Sequence, residues 1–540
     1  MILANVGLPV LEVIWDAVFY KSMAFALSEP AQFSLQRIYP MPPLYPLALS
    51  LAHWPVDSYR WIEWLQSLIN PAIYFTGVFA LYRLARLFVS PGLSALACVL
   101  YAVHSASVYT LWSVSENLAA PLSMFTVYFG VKLLVEERPR LLDGAWLGLF
   151  GALSVLTRIQ AIVFCGVLLA WLMLRYWRRG QNIAPLLLAY SVGFTLVMFA
   201  WVLLGYFSAH AQSPFYFDLA LSGEMTGVAS QWLAVWLGQL HGLWIDGGLL
   251  VMAFLFVHLL ASWLLPERVP AREREAAWLF GVCLLVMVLF VSIYYVLRAP
   301  FEDWSISTRY LFYLNQMSFP LALCWLGRLQ AFSWRERSVV LGCLAAVVLL
   351  LFAGLFFQGV WETLGDAKRF FTNAPGLDVM AQLRNEGPLT GGLLFVGVSL
   401  VLGAVWLFER RVGFALAAAL MIYLQGSALD MAFHKRAMAE ETLDARAIHA
   451  FCAQLEAGQW NETPIYCLEP FALLRPNLSY WVDRNSAPWP AEPPYPAPPY
   501  LLVTRDQFDR GRLVFEQDNL KAYLVEPEPA APEPAGQVKE

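Results

Sequence analysis

Long apolar runs separated by short polar loops dominate the first 430 residues. A membrane-spanning helix needs about 20 mostly apolar residues, because lipid offers backbone groups no hydrogen-bond partners. The pattern therefore predicts a transmembrane helical bundle. Its spans are predicted at 62–82, 91–111, 118–135, 183–207, 243–265, 277–297, 311–332, 339–357, 391–408 and 413–429.

One apolar block, residues 144–174, is too long for a single span and has Arg158 at its centre. A straight helix over this block would extend about 46 Å, against a hydrocarbon core of about 30 Å. It would also leave Arg158 in lipid, where a charge is costly. The block therefore predicts two short helices, buried in protein, that meet at Thr157 and Arg158.

Composition supports a membrane protein with one water-soluble end. Of the 540 residues, 59% are hydrophobic and 14% are charged, whereas soluble domains carry about 25% charged residues. From Asp430 onward the chain has 10 Lys/Arg and 17 Asp/Glu, so this end is acidic. The balance excludes a disordered chain, collagen and nucleic-acid binding through a basic surface.

Lysine and arginine in the loops predict the orientation of the spans. The six short loops on one side hold 14 Lys/Arg in 45 residues, and the loops on the other side hold 8 in 148. By the positive-inside rule, the first set is cytoplasmic. We expect a multi-pass protein of the plasma (inner) membrane whose residues 1–61 and C-terminal domain are extracytoplasmic. Because no span precedes residue 62, we interpret the start as lacking a first helix.

The chain is predicted to have four parts. They are an outside segment at 1–61, a transmembrane domain at 62–429, a soluble α/β domain at 430–526 and a disordered tail at 527–540. The α/β domain is expected to have a helix at about 440–457, strands at Pro464–Leu468, Leu478–Val482, Tyr500–Thr504 and Lys521–Val525, and a rigid linker or surface loop at Pro488–Pro499. A disulfide between Cys452 and Cys467 stays open.

Three polar side chains near the start are predicted to share one helix face. Glu12, Asp16 and Tyr20 recur every four residues, the spacing of one helical turn. Asp16 has apolar neighbours, and a carboxylate in such surroundings is costly unless it is paired or used. Asp16 is therefore a candidate functional acid. The alternative is a solvated surface acid beside an interfacial aromatic belt.

A proline-rich segment follows, reading Tyr-Pro-Met-Pro-Pro-Leu-Tyr-Pro from Tyr39. Its four prolines are predicted to forbid a regular helix and to hold the chain extended. Tyr39, Pro43 and Tyr45 would then line a cavity wall. A simple helix stop at the lipid boundary is the alternative.

Two charged residues are expected close to the outer membrane boundary. Glu116 follows Ser115 in a short loop, where Ser115 is expected to cap the next helix and Glu116 to favour its first turn. Arg158 requires an anion. Either a lipid-linked phosphate or an ion pair with Glu116 or Asp16 would supply it.

The outside loop 298–310 carries a further set of charges. Loop solvation explains Glu302 and Asp303 as well as a cavity role does. Arg309 and Tyr310 directly precede a span, and a functional role is favoured for them. Arg309 is predicted to reach the same phosphate as Arg158.

Taken in order, these motifs resemble the GT-C superfamily of membrane glycosyltransferases, in its aminoarabinose transferase and protein O-mannosyltransferase-like branch. The resemblance rests on the outside Asp with Tyr four residues on, Pro-Pro-Leu-Tyr-Pro-Leu, Ser-Glu-Asn-Leu, Thr-Arg and Arg-Tyr. It covers the order of elements across residues 10–430. It implies a mainly α, GT-C-like bundle of about 12–13 spans with a small C-terminal α/β extracytoplasmic domain.

The resemblance also implies a reaction. Asp16 matches the family's catalytic acid and would act as general base on an acceptor hydroxyl. Family members often carry a second acid next, where this chain has Ala17; Glu12 could substitute across one turn. Arg158, Arg309 and Tyr310 would bind the phosphate of a polyprenyl-phosphate-linked sugar donor.

The implied partners are that donor, a lipid, glycan or protein acceptor, and membrane lipids, with no nucleic acid. The motifs require no cofactor, and a divalent metal held by Asp16 and Glu116 stays open. A lipid-linked polysaccharide polymerase or ligase is an alternative function, and a lipid-linked sugar flippase is a less favoured one. The gathering of polar groups on one membrane face favours chemistry over transport.

Overall fold

A computed structural model describes most of the membrane region and parts of both ends. It describes 42–55, 59–111, 113–137, 139–207, 235–240, 242–244, 251–298, 311–328, 332–355 and 388–409, and shorter pieces of 20–28, 411–427, 447–467, 486–488, 498–517 and 520–526. Of the predicted site residues, Tyr20, Pro43, Tyr45, Glu116 and Arg158 lie within these ranges. Outside them lie Glu12, Asp16, Tyr39, Glu302, Asp303, Arg309 and Tyr310.

The described residues are mostly helical. The helices are α1 Leu44–Ser50, α2 Tyr59–Phe75, α3 Gly77–Ala85, α4 Pro91–Ala102, α5 Glu116–Val135, α6 Leu141–Thr157, α7 Ala161–Arg178, α8 Ala184–Phe207, α9 Val251–Leu264, α10 Ala271–Arg298, α11 Phe312–Arg328, α12 Trp334–Leu355 and α13 Pro388–Phe408. A 3-10 helix, Ser105–Leu111, connects α4 to the loop before α5. Helical residues recur within 411–427 and 447–455.

Within the described residues, six helical stretches are long and apolar enough to cross a bilayer. They are Trp64–Ala85, Glu116–Val135, Ala161–Arg178, Ala184–Leu203, Ala271–Ile293 and Trp334–Ala353. Apolar side chains on these helices are exposed, such as Leu188, Leu196 and Phe199 on α8. Contiguous exposed apolar surface of this kind is rare on soluble proteins, and lipid is the solvent that fits it.

The break predicted at Arg158 is confirmed. α6 ends at Thr157, Arg158 is extended with φ −150° and ψ 120°, and α7 begins at Ala161. The two helices have 17 and 18 residues, or about 26 Å each, so they are longer than expected. The prediction that they are buried in protein is wrong in part, because Met173 on α7 and Leu142 on α6 are exposed.

Glycines allow α6 to pack closely on α8. A Cβ at Gly148 would overlap the backbone of Tyr190, and a Cβ at Gly193 would overlap the carbonyl oxygen of Ala145. Small residues let transmembrane backbones approach in this way. α6 also packs on α5. This packing places the end of α6, with Arg158, beside the start of α5, with Glu116.

Several helices do not coincide with the predicted spans. α10 and α12 begin at Ala271 and Trp334, before the predicted 277 and 339, because their charged first turns are helical although too polar for lipid. The predicted span 91–111 is α-helical only to Ala102. It continues as a 3-10 helix after the polar residues that begin at His104.

The proline-rich segment was predicted to be extended, but its second half is helical. α1 begins at Leu44 and includes Tyr45 and Pro46. A proline in the first turn removes no helical hydrogen bond, since the N–H groups there have no partner within a helix. Tyr45 therefore belongs to a short helix, and Pro43 lies directly before it.

Among the described residues near the C-terminus, five short strands form a mixed sheet. They are β1 Ile465–Cys467, β2 Ser486–Pro488, β3 Tyr500–Thr504, β4 Arg512–Gln517 and β5 Leu520–Val525, in the order β2-β1-β3-β5-β4. β1 is parallel to β2 and β3, whereas β5 is antiparallel to β3 and β4. Phe451, in the helical stretch before the sheet, packs on Phe515 with ring centroids 5.2 Å apart. The predicted small α/β unit is confirmed.

Three of the four predicted strands correspond to β1, β3 and β5, and the fourth, at 478–482, lies outside the described residues. β2 and β4 were not predicted. β2 has three residues, and its Pro488 was assigned to a linker or loop. β4 is an edge strand whose first two side chains, Arg512 and Leu513, are exposed, so it lacks the buried apolar run of a central strand.

Candidate functional site

An ion pair lies where α6 ends and α5 begins. Arg158 Nη1 donates hydrogen bonds to Glu116 Oε1 and to Ser115 Oγ, the latter at 3.2 Å. The side chains of Arg158 and Glu116 are only 13% and 2% exposed. A charge pair so shielded from water is held mainly by its own attraction and hydrogen bonds. Of the three anions considered for Arg158, namely a lipid-linked phosphate, Glu116 and Asp16, the Glu116 carboxylate is in contact with it.

Ser115 connects this ion pair to the first part of the chain. Its hydroxyl oxygen accepts a hydrogen bond from the Tyr20 hydroxyl at 3.1 Å as well as the one from Arg158. The prediction that the Ser115 side chain caps α5 is wrong, since it makes no hydrogen bond to the backbone of that helix. The hydroxyl links separate segments instead. Glu116 does lie in the first turn of α5, as predicted.

Tyr45 joins the same cluster from α1. Its hydroxyl donates to Asn70 Oδ1 at 2.7 Å and accepts from Asn117 Nδ2 at 3.4 Å. Its ring lies perpendicular to that of Tyr20, with centroids 5.4 Å apart. All four side chains are buried. The structure thus brings Tyr20 and Tyr45 together, next to the Ser115-Glu116-Asn117 turn.

The first turn of α11 reaches the same place. Tyr313 is buried, its ring centroid is 5.9 Å from that of Phe164 on α7, and Arg158 is close enough to act on it electrostatically. Tyr313 was not predicted from the sequence. Its signal was the spacing from Tyr310, since residues three apart share a helix face. Arg309 and Tyr310 lie outside the described residues, just before this turn.

A basic pair borders the cluster, and sequence analysis did not single it out. Lys21 follows Tyr20 and is 3% exposed. His53 lies in the turn after α1, and its Nε2 is 3.3 Å from Gln66 Nε2. Burial, with a smaller effect of the Lys21 ammonium, lowers the pKa of His53 from 6.5 to about 4. His53 is therefore neutral near neutral pH, and Lys21 supplies the positive charge here.

Of the two predicted metal ligands, Glu116 lies in the part of the chain that the structure describes and Asp16 does not. No group of three His, Cys, Asp or Glu side chains there could hold a metal ion. Glu116 Oε1 contacts Arg158, and Asp16 lies outside the described residues. A metal held by Asp16 and Glu116 stays a prediction, and the proposed chemistry includes no step that needs one.

A second buried charge cluster lies at the opposite helix ends. Arg328 at the end of α11 forms an ion pair with Glu273 in the first turn of α10. His258 Nε2 on α9 is 3.7 Å from Glu273 Oε2, and both side chains are fully buried. The loops on this side carry the arginine excess that predicts the cytoplasm. Sequence analysis missed this cluster because it assigned Glu273 to a loop.

Known proteins share the fold but little sequence. No protein-family model matches the chain, and no curated protein sequence matches it. Among solved structures, apo ArnT from Cupriavidus metallidurans superposes with a TM-score of 0.50 and 13% identity, covering 91% of this chain and 83% of that one. ArnT from the same organism bound to undecaprenyl phosphate gives 0.51 and 14%, with 90% and 83% covered. The chain therefore has an ArnT-like fold, which agrees with the family resemblance of the motifs.

Proposed function

We propose that this protein is a membrane glycosyltransferase that moves a sugar from a polyprenyl-phosphate carrier to an acceptor on the extracytoplasmic side. Its fold is similar to that of ArnT, and one ArnT structure contains undecaprenyl phosphate, a carrier of this chemical class. The observation that carries the proposal is the placement of Arg158. This guanidinium lies at a helix break among apolar helices, beside Glu116 and the first turn of α11.

Arg158 is suited to receive the phosphate of the donor. A guanidinium has five N–H donors in a planar fork that matches phosphate. Glu116 would balance the buried positive charge before the donor binds and would fix the orientation of the guanidinium. As the sugar leaves, negative charge grows on the phosphate, and an already oriented cation stabilises it. Arg309 and Tyr310 would provide further hydrogen-bond donors to the same phosphate.

Asp16 would act on the acceptor, whereas Arg158 acts on the phosphate of the donor. As general base it would take the proton from the acceptor hydroxyl while that oxygen attacks the anomeric carbon opposite the phosphate. A helix that continues back from Tyr20 would put Asp16 one turn, about 6 Å, from the cluster. Glu12, Tyr39, Glu302 and Asp303 would then line the cavity around the acceptor.

Mass spectrometry of envelope lipids and glycans tests this function. We expect one acceptor to lose a single sugar when the gene is deleted and equally when Asp16→Asn replaces the wild type, with normal amounts of protein in the membrane. Asp509→Asn, the same change at an exposed acid between β3 and β4, is the matched control and should retain most of the product. Normal product from Asp16→Asn would show that Asp16 is not the base. An unchanged set of glycans and lipids after deletion would reject the transferase.

A lipid-linked sugar flippase is the second candidate, because the buried cluster of Glu273, Arg328 and His258 lies on the opposite side. A transporter needs polar groups along its path on both sides of the membrane. In that case deletion would make the lipid-linked sugar accumulate in the inner leaflet, where an impermeant oxidant cannot reach it. A transferase defect would instead leave the unused donor accessible from outside.

A further inference from the structure

Arginines from two helices gather at one corner of the membrane domain. Arg175, Arg178 and Arg179 end α7, and Arg272 and Arg274 lie in the first turn of α10. The helix ends meet there, since Arg175 Nη1 is 2.8 Å from Glu275 Oε1. Arg178, Arg179 and Arg274 are all close enough to act on Arg175 electrostatically. We call Arg175, Arg178, Arg179 and Arg274 the corner patch, since Arg272 acts on Arg328 instead.

Helix electrostatics does not account for this gathering. Cations are favourable at the end of α7, but Arg272 and Arg274 stand at a helix N-terminus, where the helix dipole disfavours positive charge. Of the two acids in the first turns of α10, Glu273 pairs with Arg328, away from the patch, and only Glu275 pairs with a corner arginine. The patch therefore keeps a large excess of positive charge.

The patch borders the lipid surface of the bundle. Trp177 is 77% exposed, and Met173, one turn earlier on the same face of α7, is 45% exposed. Trp263 and Trp334, at the corresponding ends of α9 and α12, are also largely exposed. Exposed tryptophans at helix ends mark the level of the lipid headgroups. Arg175 Nε is buried and makes no hydrogen bond within the described residues.

We propose that the corner patch is a binding site for the headgroup of an anionic phospholipid of the inner leaflet. A phosphodiester there would meet arginines from both helices, while its acyl chains would lie along Met173 and Trp177. Arginine binds phosphate through paired N–H donors, and basic pockets between helices on this side suit anionic lipids. The site lies on the side opposite Arg158, so it is independent of the proposed sugar transfer.

Native mass spectrometry of the full-length protein in detergent, titrated with phosphatidylglycerol or phosphatidylcholine, tests this site. Wild type should bind phosphatidylglycerol more tightly than phosphatidylcholine. The double variant Arg178→Gln/Arg274→Gln should lose roughly fivefold in affinity per arginine, or about 25-fold, for phosphatidylglycerol alone. The control Arg83→Gln/Arg335→Gln removes two exposed arginines that are not among the charges acting on Arg175. It should bind like the wild type.

Several outcomes would overturn the proposal. Equal affinity of wild type for the two lipids would do so, as would equal losses in the two double variants, which would indicate general attraction to the positive side. A last comparison uses inorganic phosphate in place of the lipid. If phosphate alone stabilises wild type against heating as much as phosphatidylglycerol does, the patch binds a soluble anion rather than a lipid. If the corner variant unfolds in detergent, Arg178→Lys/Arg274→Lys, which keeps the charge, should restore folding and most of the lipid affinity.

Discussion

Arg158 and Glu116 form a buried ion pair although 42 positions separate them in the chain. The pair requires three features at once: the break after α6, the start of α5 at Glu116 and the close packing of α6 on α5. The pair therefore connects the packing of the bundle with the site proposed for the donor phosphate. Its stability and its function can be measured separately.

A double-mutant cycle measures the ion pair. Glu116→Gln alone leaves the Arg158 charge buried without its carboxylate, and removing one partner of a buried pair costs roughly 3–5 kcal/mol. Arg158→Gln alone should be similarly damaging. The double variant should be more stable than the sum of the single effects predicts, because neither charge then remains. Thermal unfolding in detergent, followed by tryptophan fluorescence, gives the three values. Strictly additive losses would mean that the two side chains do not interact.

Arg158→Lys separates charge from geometry. The shorter, non-planar ammonium keeps the charge beside Glu116 but loses the fork that holds a phosphate through two donors. We expect undecaprenyl phosphate to bind roughly tenfold more weakly, which corresponds to the loss of one charge-assisted hydrogen bond. Stability should change little.

Arg83→Lys is the control for this binding measurement, since Arg83 is exposed at the end of α3. Fluorescence titration with labelled lipid in nanodiscs gives the two affinities. Unchanged affinity in Arg158→Lys, with the control also unchanged, would assign Arg158 to structure alone.

Removing the Tyr20 hydroxyl and removing the Ser115 hydroxyl should reduce stability by unequal amounts. Tyr20→Phe removes one donor and leaves Ser115 Oγ bonded to Arg158, so it should cost about 0.5–1.5 kcal/mol. Ser115→Ala takes the acceptor from both Tyr20 and Arg158 and should cost more, about 2–3 kcal/mol. In the Ser115→Ala background, Tyr20→Phe should cost less than it does in the wild type, because its hydrogen bond to Ser115 is already absent. A full Tyr20→Phe effect in that background would place the Tyr20 hydroxyl bond elsewhere.

The sequence predicted the break at Arg158 because an arginine in the middle of an apolar block is readable from periodicity and length alone. It left open which anion meets Arg158, since that depends on how α6 packs against α5. It missed Tyr313, His53 and Lys21 because each looks ordinary in the chain, and only the packing of separate segments brings them to the cluster.

Predictions from local sequence propensity were wrong where the position in a helix or a tertiary contact determines the role of a residue. Pro46 looked like a helix breaker and lies in a first turn, where it is tolerated. Ser115 looked like a cap, and its hydroxyl is used by Tyr20 and Arg158 instead. The fold class was predictable, since the lengths of the apolar runs and the charges of the loops are strong signals. The edge strand β4 has no such signal in its sequence, and it was not predicted.

The lowered pKa of His53 predicts a pH-dependent stability. Above pH 6.5 His53 is neutral in both folded and unfolded protein, so its contribution to stability is fully present there. Between 6.5 and about 4 the unfolded chain binds a proton that the folded protein, with His53 half-buried near Lys21, does not. Stability from this group is therefore lost as the pH falls through that window. The measurement is the difference in melting temperature between wild type and His53→Gln across this range. A difference that stays constant with pH would contradict the lowered pKa.

Two glycine-to-alanine changes should have opposite signs. Gly148 in α6 faces the backbone of Tyr190 in α8, and an added Cβ would overlap it, so Gly148→Ala should cost about 1–3 kcal/mol. Gly166 in α7 has no atom within 4 Å of where its Cβ would be, so Gly166→Ala should stabilise by roughly 0.4–1 kcal/mol through the unfolded chain. Because α6 ends at Thr157, a displaced α6 also moves Arg158 away from Glu116, and Gly148→Ala should weaken undecaprenyl phosphate binding as well. Parallel melting curves and lipid titrations of the two variants check this. If both variants were stabilised, the close approach of α6 and α8 would be wrong, and the placement of Arg158 would need another support.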